Sequence, residues 1–403
     1  MRVTQSLNQM QFIAALTTLE SNLSQTQNQI ATNQSFTTPS QNPVAAGAVD
    51  HYNQALAQSK QFDTNANSAQ TRLSVEDTAV SQVQTALQSL RDLALQANSG
   101  ALSNQDRSAI AAQATQIQAS LVSLANTQDG NGEYIFSGFA SQTQPFALSA
   151  TGATYSGDSG QRQAQIAPGH FVADGDNGNT VFNQVKTGNG TFTATAAPIN
   201  TGTGVLGAST VTNAAAYDGK PYSIQFVAAP PTGLVANSYN IIQGGVTVSS
   251  GTYASGQAIS YDGGQVTVSG QPAISDTFNV APSTNQSIFT TVQNLVTALQ
   301  QVGTTSGSST QLGNSIGIAI NNIDQGLGQT SNVRASIGGR MNAITTQLSV
   351  SSSQQIQLQS SISSLQGLDY ASALTKLTEQ NVTLTASMQA YTLTQGLSLF
   401  KYL

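Results

Sequence analysis

No cysteine occurs in the 403 residues, so disulfides and thiolate chemistry are excluded and no redox compartment can be inferred. Charge is scarce too. Only 7% of residues are charged, against roughly 25% in an ordinary soluble protein, so Gln, Asn, Ser and Thr must carry solubility. The net charge of −6 leaves no basic footprint, which argues against nucleic acid or anionic lipid as a partner. No apolar run is long enough to span a bilayer, so no membrane association is expected. Met1-Arg2-Val3-Thr4-Gln5-Ser6-Leu7-Asn8 lacks the apolar stretch of a cleavable secretory signal. The chain is therefore expected to be cytosolic, or exported by a route that leaves no such signal.

Catalytic hardware is missing as well. The two histidines, His51 and His170, stand in no metal-ligand spacing and read as ordinary polar residues. Asp174-Gly175-Asp176-Asn177-Gly178-Asn179 loosely resembles a calcium loop. However, Gly178 falls where an oxygen ligand belongs and Val185 where the bidentate Glu should sit. A plain turn is the preferred reading. No glycine spacing cradles a phosphate, and no serine has a His/Asp pair to activate it. Neither a cofactor nor an enzyme is expected.

Proline and glycine divide the chain. Only Pro39 and Pro43 precede Pro145, none follows Pro282, and 23 of the 35 glycines lie between 130 and 270. Both residues interrupt helices, so the ends should be helical and the middle should not.

What the ends do contain is a heptad. Phe62, Ala66, Ala69, Leu73, Glu76, Val80, Val83, Leu87, Leu90, Ala94 and Ala97 advance by alternating steps of four and three. So do Ile316, Ile320, Ile323, Leu327, Thr330, Arg334, Ile337, Met341, Ile344 and Leu348, and Leu358, Ile362 and Leu365 resume the phase. That is the seam of a coiled coil. An earlier helix carries Phe12, Leu16, Leu19, Leu23, Thr26 and Ile30 and should stop before the turn-rich Thr38–Pro43; the next runs from about Val44 to Asn98. Ser103 with Asp106 resembles a capping box opening a third helix. After Gly367, Asp369 restarts a helix with Leu374, Leu377, Asn381, Leu384, Met388 and Tyr391 at seam spacing, then Leu397 and Phe400. Glu76 and Arg334 occupy seam positions. The favoured reading is a phase drift that leaves each in water; the alternative is that they fix register, with each other or otherwise.

The middle reads as β-rich. Tyr222, Ile224 and Phe226 alternate with polar residues, as do Val246 and Val248, then Val266 and Val268; Asp262-Gly263-Gly264 between Ile259-Ser260-Tyr261 and Gln265–Val268 marks a hairpin. Residues 186–215 read as a flexible loop, Ser283-Thr284-Asn285 as the cap of a helix bearing Ile288, Val292, Leu295 and Leu299, and 303–313 as a linker. The fold class is thus α+β and elongated. N- and C-terminal helices pair in a coiled-coil bundle with a β-rich domain inserted between them. Residues 1–45 pair with 367–403, residues 46–130 with 314–366, and 131–313 form the β-rich domain plus linker.

The outermost stripes are diluted by Thr26, Asn381 and flanking Gln and Thr, and bury too little to offset the ordering of their residues. Residues 1 to about 40 and 367–403 are therefore expected to lack structure in a free monomer and to fold against neighbouring subunits. The expected interface residues are Leu16, Leu19, Leu23, Ile30, Leu377, Leu384, Met388, Tyr391, Leu397 and Phe400.

Several segments resemble the flagellin superfamily of bacterial flagellar axial proteins. They are Met1–Thr4, Thr38–Ala46, Asp129–Gly138 followed by Gly157–Arg162, Arg334–Met341 and Asp369–Ala371. The ending Leu397–Leu403 resembles the junction-protein branch more than filament flagellin. One departure is clear. The family commonly carries basic residues before the first turn and an acidic pair within it, where this chain has Asn33-Gln34-Ser35 and Gln41-Asn42. Any salt bridges used there do not transfer.

The resemblance implies a structural protein of the bacterial flagellum, extracellular and exported by the flagellar type III route. It implies a ring of like subunits between hook-associated protein 1 and flagellin, with an export chaperone on the C-terminal helix. The terminal helices would line an inner tube and the β-rich middle would face outward. Two other readings stay open: filament flagellin itself, and a coiled-coil surface adhesin or phage fibre, which would need parallel self-pairing of one rod.

Overall fold

The structure, a computed structural model, describes residues 2–99, 102–228, 236–301 and 306–396. It is α+β, with helices at both ends of the chain and strands between them. The helices are α1 (Arg2–Thr32), α2 (Pro43–Ala97), α3 (Asn104–Ala125), α4 (Ile288–Gln300), α5 (Ser306–Gln366) and α6 (Tyr370–Gly396). Two compact units result: residues 65–345, and residues 1–64 with 346–403.

Within residues 65–345 the seam of α2 is buried at every predicted position, from Ala66 through Leu73, Val80 and Leu87 to Ala97. On α5 the fully buried members recur every seven residues, at Ile316, Ile323, Thr330, Ile337 and Ile344, and the intervening ones are half-buried. Strict sevenfold recurrence means that one line of side chains keeps to the same face of the helix from Ile316 to Ile344. The pairing is antiparallel and within one chain. Arg334 Nε meets Asp77 at 2.9 Å, Gln84 Nε2 donates to Ser331 Oγ at 3.3 Å, and Arg91 Nε meets Asp324 at 2.6 Å. Asp77, Gln84 and Arg91 each directly follow a buried seam residue, so they flank the apolar line one heptad apart. Intrachain antiparallel pairing is the opposite of what the adhesin or fibre reading requires.

Glu76 and Arg334 part company here. Arg334 is half-exposed and fixes register against Asp77 and Gln84. Glu76 is fully buried, so the expectation that phase drift leaves it in water is wrong. A loop covers that face of α2, and periodicity along one helix carries no information about what packs over it.

The ends of α3 and α4 show how local and non-local signals differ. Ser103 and Asp106 form the capping box, each side chain bonding the other's backbone N–H. The cap of α4 is Ser287, whose hydroxyl accepts from Phe289 N, rather than the expected Ser283–Asn285. Asn285-Gln286 is instead taken up as a short strand against Val185-Lys186. The stretch expected as linker is also shorter, because α5 is already helical at Ser306. Small polar residues cost helix little when a long helix propagates through them.

Counting all strands in chain order, β1 (Phe146–Ser149) pairs β2 (Gly152–Tyr155), β3 (Gln163–Ala167) pairs β4 (His170–Ala173), and β5 is Val185–Lys186. Then come β6 (Phe192–Ala196), β7 (Val205–Val211), β8 (Tyr222–Val227), β9 (Ser238–Gln243), β10 (Val246–Thr252), β11 (Ala258–Tyr261), β12 (Gly264–Ser269), β13 (Thr277–Pro282) and β14 (Asn285–Gln286). A five-stranded antiparallel sheet of order β10-β9-β8-β13-β6 and a three-stranded sheet β11-β12-β7 share one core. It contains Phe192, Ile224, Phe226, Tyr261, Val266, Val268 and Phe278.

The alternation read in β8 and β12 is real inside–outside alternation. Val246 and Val248 do lie on a strand, but it is the edge strand β10 and both are exposed. Residues 186–215 are not a loop, since β6 and β7 occupy much of them. The predicted hairpin forms with a two-residue turn, Asp262-Gly263, both at positive φ (25° and 80°), and Gly264 already pairs with Tyr261 in the strand. A Cβ on Gly263 would also strike the Asn213 carbonyl at 2.3 Å. Amide side chains of α5 hold this module: Asn314 brackets Gly204 O and Leu206 N, and Asn322 accepts from Gly188 N.

In the other unit α1 runs antiparallel to α6, and the turn between α1 and α2 packs Phe36 against Ala45, Ala46, Val49 and Ile362. Amides replace the family's charges at this turn. Gln41 Oε1 accepts from Thr37 N at 2.8 Å, and Asn42 Oδ1 caps α2 through Ala45 N at 3.1 Å, with Pro43 in the first helical position. The seam itself turns polar here. Ser59 and Ser351 are both buried and share a hydroxyl hydrogen bond of 2.9 Å, and Gln355 Nε2 donates to Asp63 at 2.6 Å.

Candidate functional site

The expected interface residues lie on α1 and α6, which pack on each other. Leu16, Leu19, Leu23 and Ile30 on α1, and Leu377, Leu384 and Tyr391 on α6, are each only half-buried; Met388 is 45% exposed. Leu397 and Phe400 lie outside the described residues. Phe12 stacks on Tyr391 with ring centroids 4.7 Å apart, and Gln9 donates to the Tyr391 hydroxyl. Thr26 is buried, and its hydroxyl is satisfied within α1 by Asn22 O. Leu7, Met10, Ile13, Leu374, Val382 and Leu393 each leave about half or more of their surface in solvent. That is a high density of exposed apolar side chains for one helix pair. Over Arg2–Thr32 and Tyr370–Gly396 the segments expected to be unstructured in a lone chain are paired helices whose stripe remains open.

A second cluster lies in the larger unit, where the helices give way to strands. Arg72 of α2 bonds Asp129 at 2.6 Å and Glu133 at 3.4 Å, and Arg162 bonds Glu133 at 2.6 Å and Asp174 at 3.4 Å. Arg340 of α5 pairs with Asp176, whose backbone N–H donates to Glu76 Oε1 at 3.1 Å. The Asp158 carboxylate accepts from the backbone N–H of Phe139, Ala140 and Gly160. Those bonds, Phe139's foremost, hold it below the usual carboxylate range. Gly138 permits this approach, for its φ is 73° and a Cβ would stand 2.2 Å from Asp158 Oδ1. Burial pushes the Glu76 carboxyl up to about 8, with the Asp176 carboxylate adding to the effect. The segments 129–138, 157–162 and 334–341, far apart in sequence, thus converge on one ionic joint.

Sequence reasoning missed this joint, because no local pattern announces contacts between residues so far apart in the chain. In a chain with only 12 basic and 18 acidic residues, Arg72, Glu76, Asp129, Glu133, Arg162, Asp174, Asp176 and Arg340 gather in one place. The arrangement locks elements together and offers no activated nucleophile. Asp174 and Asp176 are ion-paired, and among the described residues no group of three His, Asp or Glu is placed to hold a metal. Nor is any described helix long and apolar enough to cross a membrane.

The bacterial flagellin N-terminal helical region matches residues 3–141 and the flagellin C-terminal helical region residues 320–403. Flagellar hook-associated protein 3 of Salmonella typhimurium is 31% identical over 185 residues, which is 46% of this chain and 58% of that protein. Its Escherichia coli counterpart is 32% identical over 157 residues, 39% of this chain and 49% of that one, so the match spans about half the length of these curated relatives. The crystal structure of FlgL from Xanthomonas campestris is 33% identical with a TM-score of 0.71, covering 77% of this chain and 99% of that one. That of flagellar hook associated protein-3 from Legionella pneumophila is 30% identical with a TM-score of 0.74, covering 79% and 98%. With both flagellin regions present and near-complete coverage of two solved relatives, this chain belongs to the flagellar hook-associated protein 3 family of the flagellin superfamily.

Proposed function

We propose that this chain is a non-catalytic structural component of the bacterial flagellum, a junction adaptor that forms a ring between hook-associated protein 1 and the flagellin filament. The observation that carries the reading is the α1–α6 pair, whose seam residues stay half-exposed and whose outer faces carry Leu7, Met10, Ile13, Val382 and Leu393 in solvent. Burial that one chain leaves incomplete is completed by neighbours, and this supplies the driving force for assembly. In this reading residues 1–45 with 367–403 build the inner tube, 46–130 with 314–366 the rod, and 131–313 the outward face. Leu16, Leu19, Leu23, Ile30, Leu377, Leu384, Met388, Tyr391, Leu397 and Phe400 meet adjacent subunits, hook-associated protein 1 or flagellin. The protein reaches its place through the flagellar type III export channel, with a chaperone covering the C-terminal helix until then. Family membership and the Legionella relative described as a flagellar junction protein support this assignment.

Deleting the gene tests it. Cells should keep hooks, lose motility and shed unpolymerised flagellin into the medium. Complementation with Leu16→Asp or Leu384→Asp should yield soluble protein that does not restore filaments. Filaments of normal length in the deletion strain would end this reading.

A further inference from the structure

Three polar atoms on three buried side chains of the ionic joint have no hydrogen-bond partner among the described residues. They are Arg72 Nε, Glu76 Oε2 and Asp174 Oδ1, on residues only 6%, 0% and 8% exposed. Beside them is a space of about 10 Å³ lined by Arg72, Asp174, Gly175, Ile135, Gly138 and Gly160, together with Arg162 and Asp176, which are engaged in ion pairs with Glu133, Asp174 and Arg340. It exists because residue 175 has no side chain. A Cβ added there would stand 3.6 Å from Arg72 Nε, 3.7 Å from Glu76 Oε2 and 3.9 Å from the Ile135 carbonyl oxygen.

The mixture of atoms selects the occupant. A cation would meet the guanidinium N–H, and an anion would meet two carboxyl oxygens; neither suits the set. One water accepts from the N–H and donates twice, and a space of about 10 Å³ is just enough to hold it. We propose that this space holds a single structural water that accepts from Arg72 Nε and donates to Asp174 Oδ1 and Glu76 Oε2, bonding α2 to the loop at 174–176. When Glu76 Oε2 carries a proton the water turns, accepts from that hydroxyl and from Arg72, and donates to Asp174 and the Ile135 carbonyl. The site thus stays satisfied in either protonation state, which no fixed side chain could achieve.

High-resolution crystal structures of the full-length protein test this, for wild type, Glu76→Gln and Gly175→Ala, with parallel soaks in rubidium and bromide. Wild type and Glu76→Gln should each show one water peak about 2.7–3.2 Å from Arg72 Nε and from at least one of the two acidic positions. Gly175→Ala should lack it and unfold a few degrees lower. A dry space in wild type, an anomalous rubidium or bromide peak, or a Gly175→Ala protein as stable as wild type would overturn the proposal. Should Gly175→Ala not fold, the wild-type and Glu76→Gln maps decide alone.

Discussion

Glu76 occupies a seam position between Leu73 and Val80, and burial holds its carboxyl protonated up to about pH 8. The folded state therefore keeps a proton that the unfolded chain releases near pH 4.5. Between these values stability must fall as pH rises, by at most about 1.4 kcal/mol per pH unit, and level off above them. Glu76→Gln should remove this slope, so that the variant overtakes wild type as pH passes 8; urea unfolding across pH 5–9 reads the difference. Asn314→Ala should act at every pH, because it strands the Gly204 carbonyl and Leu206 N–H in the interior. It should cost about 2 kcal/mol and raise protease sensitivity within 186–282. At this scale the seam leucines and isoleucines were legible in the sequence, since periodicity names the face of a helix. The partners of Glu76 and Asn314 were not, because both come from loops and strands about a hundred residues away.

Elements differ in what holds them. The α2–α5 pair in residues 65–345 rests on its apolar line. Leu87→Ala should thus destabilise by about 2–5 kcal/mol, while removing both Asp77 and Arg334, each about a third exposed, should cost under about 1 kcal/mol. A double-mutant comparison by denaturant unfolding separates the two cases. Helix ends were readable where the cap lies within a few residues, as at Ser103–Asp106. They were misread where a strand competes: β14 takes Asn285-Gln286 and moves the cap of α4 to Ser287. Likewise β6 and β7 form from Thr/Ala/Gly-rich sequence because β13 and β12 already offer edges for them to join.

For the whole molecule, the division into two units predicts two stabilities. Hydrogen exchange should be slow along 66–97 and 316–344, and fast through α1 and α6, whose contacts are half-exposed. A chain lacking 1–32 and 370–403 should keep the high-temperature unfolding transition yet fail to assemble; working filaments from it would contradict the proposed role. The α+β plan was legible because proline and glycine mark its borders. The ionic joint was hidden, for it depends on loops that only the finished fold brings together.

The hydroxyl pair Ser59–Ser351 and the contact of Gln355 with Asp63 carry a mechanical consequence. Where isoleucines elsewhere must be torn from one another, here water can replace each bond one for one as the helices separate. A pull that separates residues 59–63 from 351–355 would meet less resistance than one that separates the aliphatic line of 66–97 from that of 316–344. If the proposed passage through an export channel holds, such a gradient would let each end open before the rod.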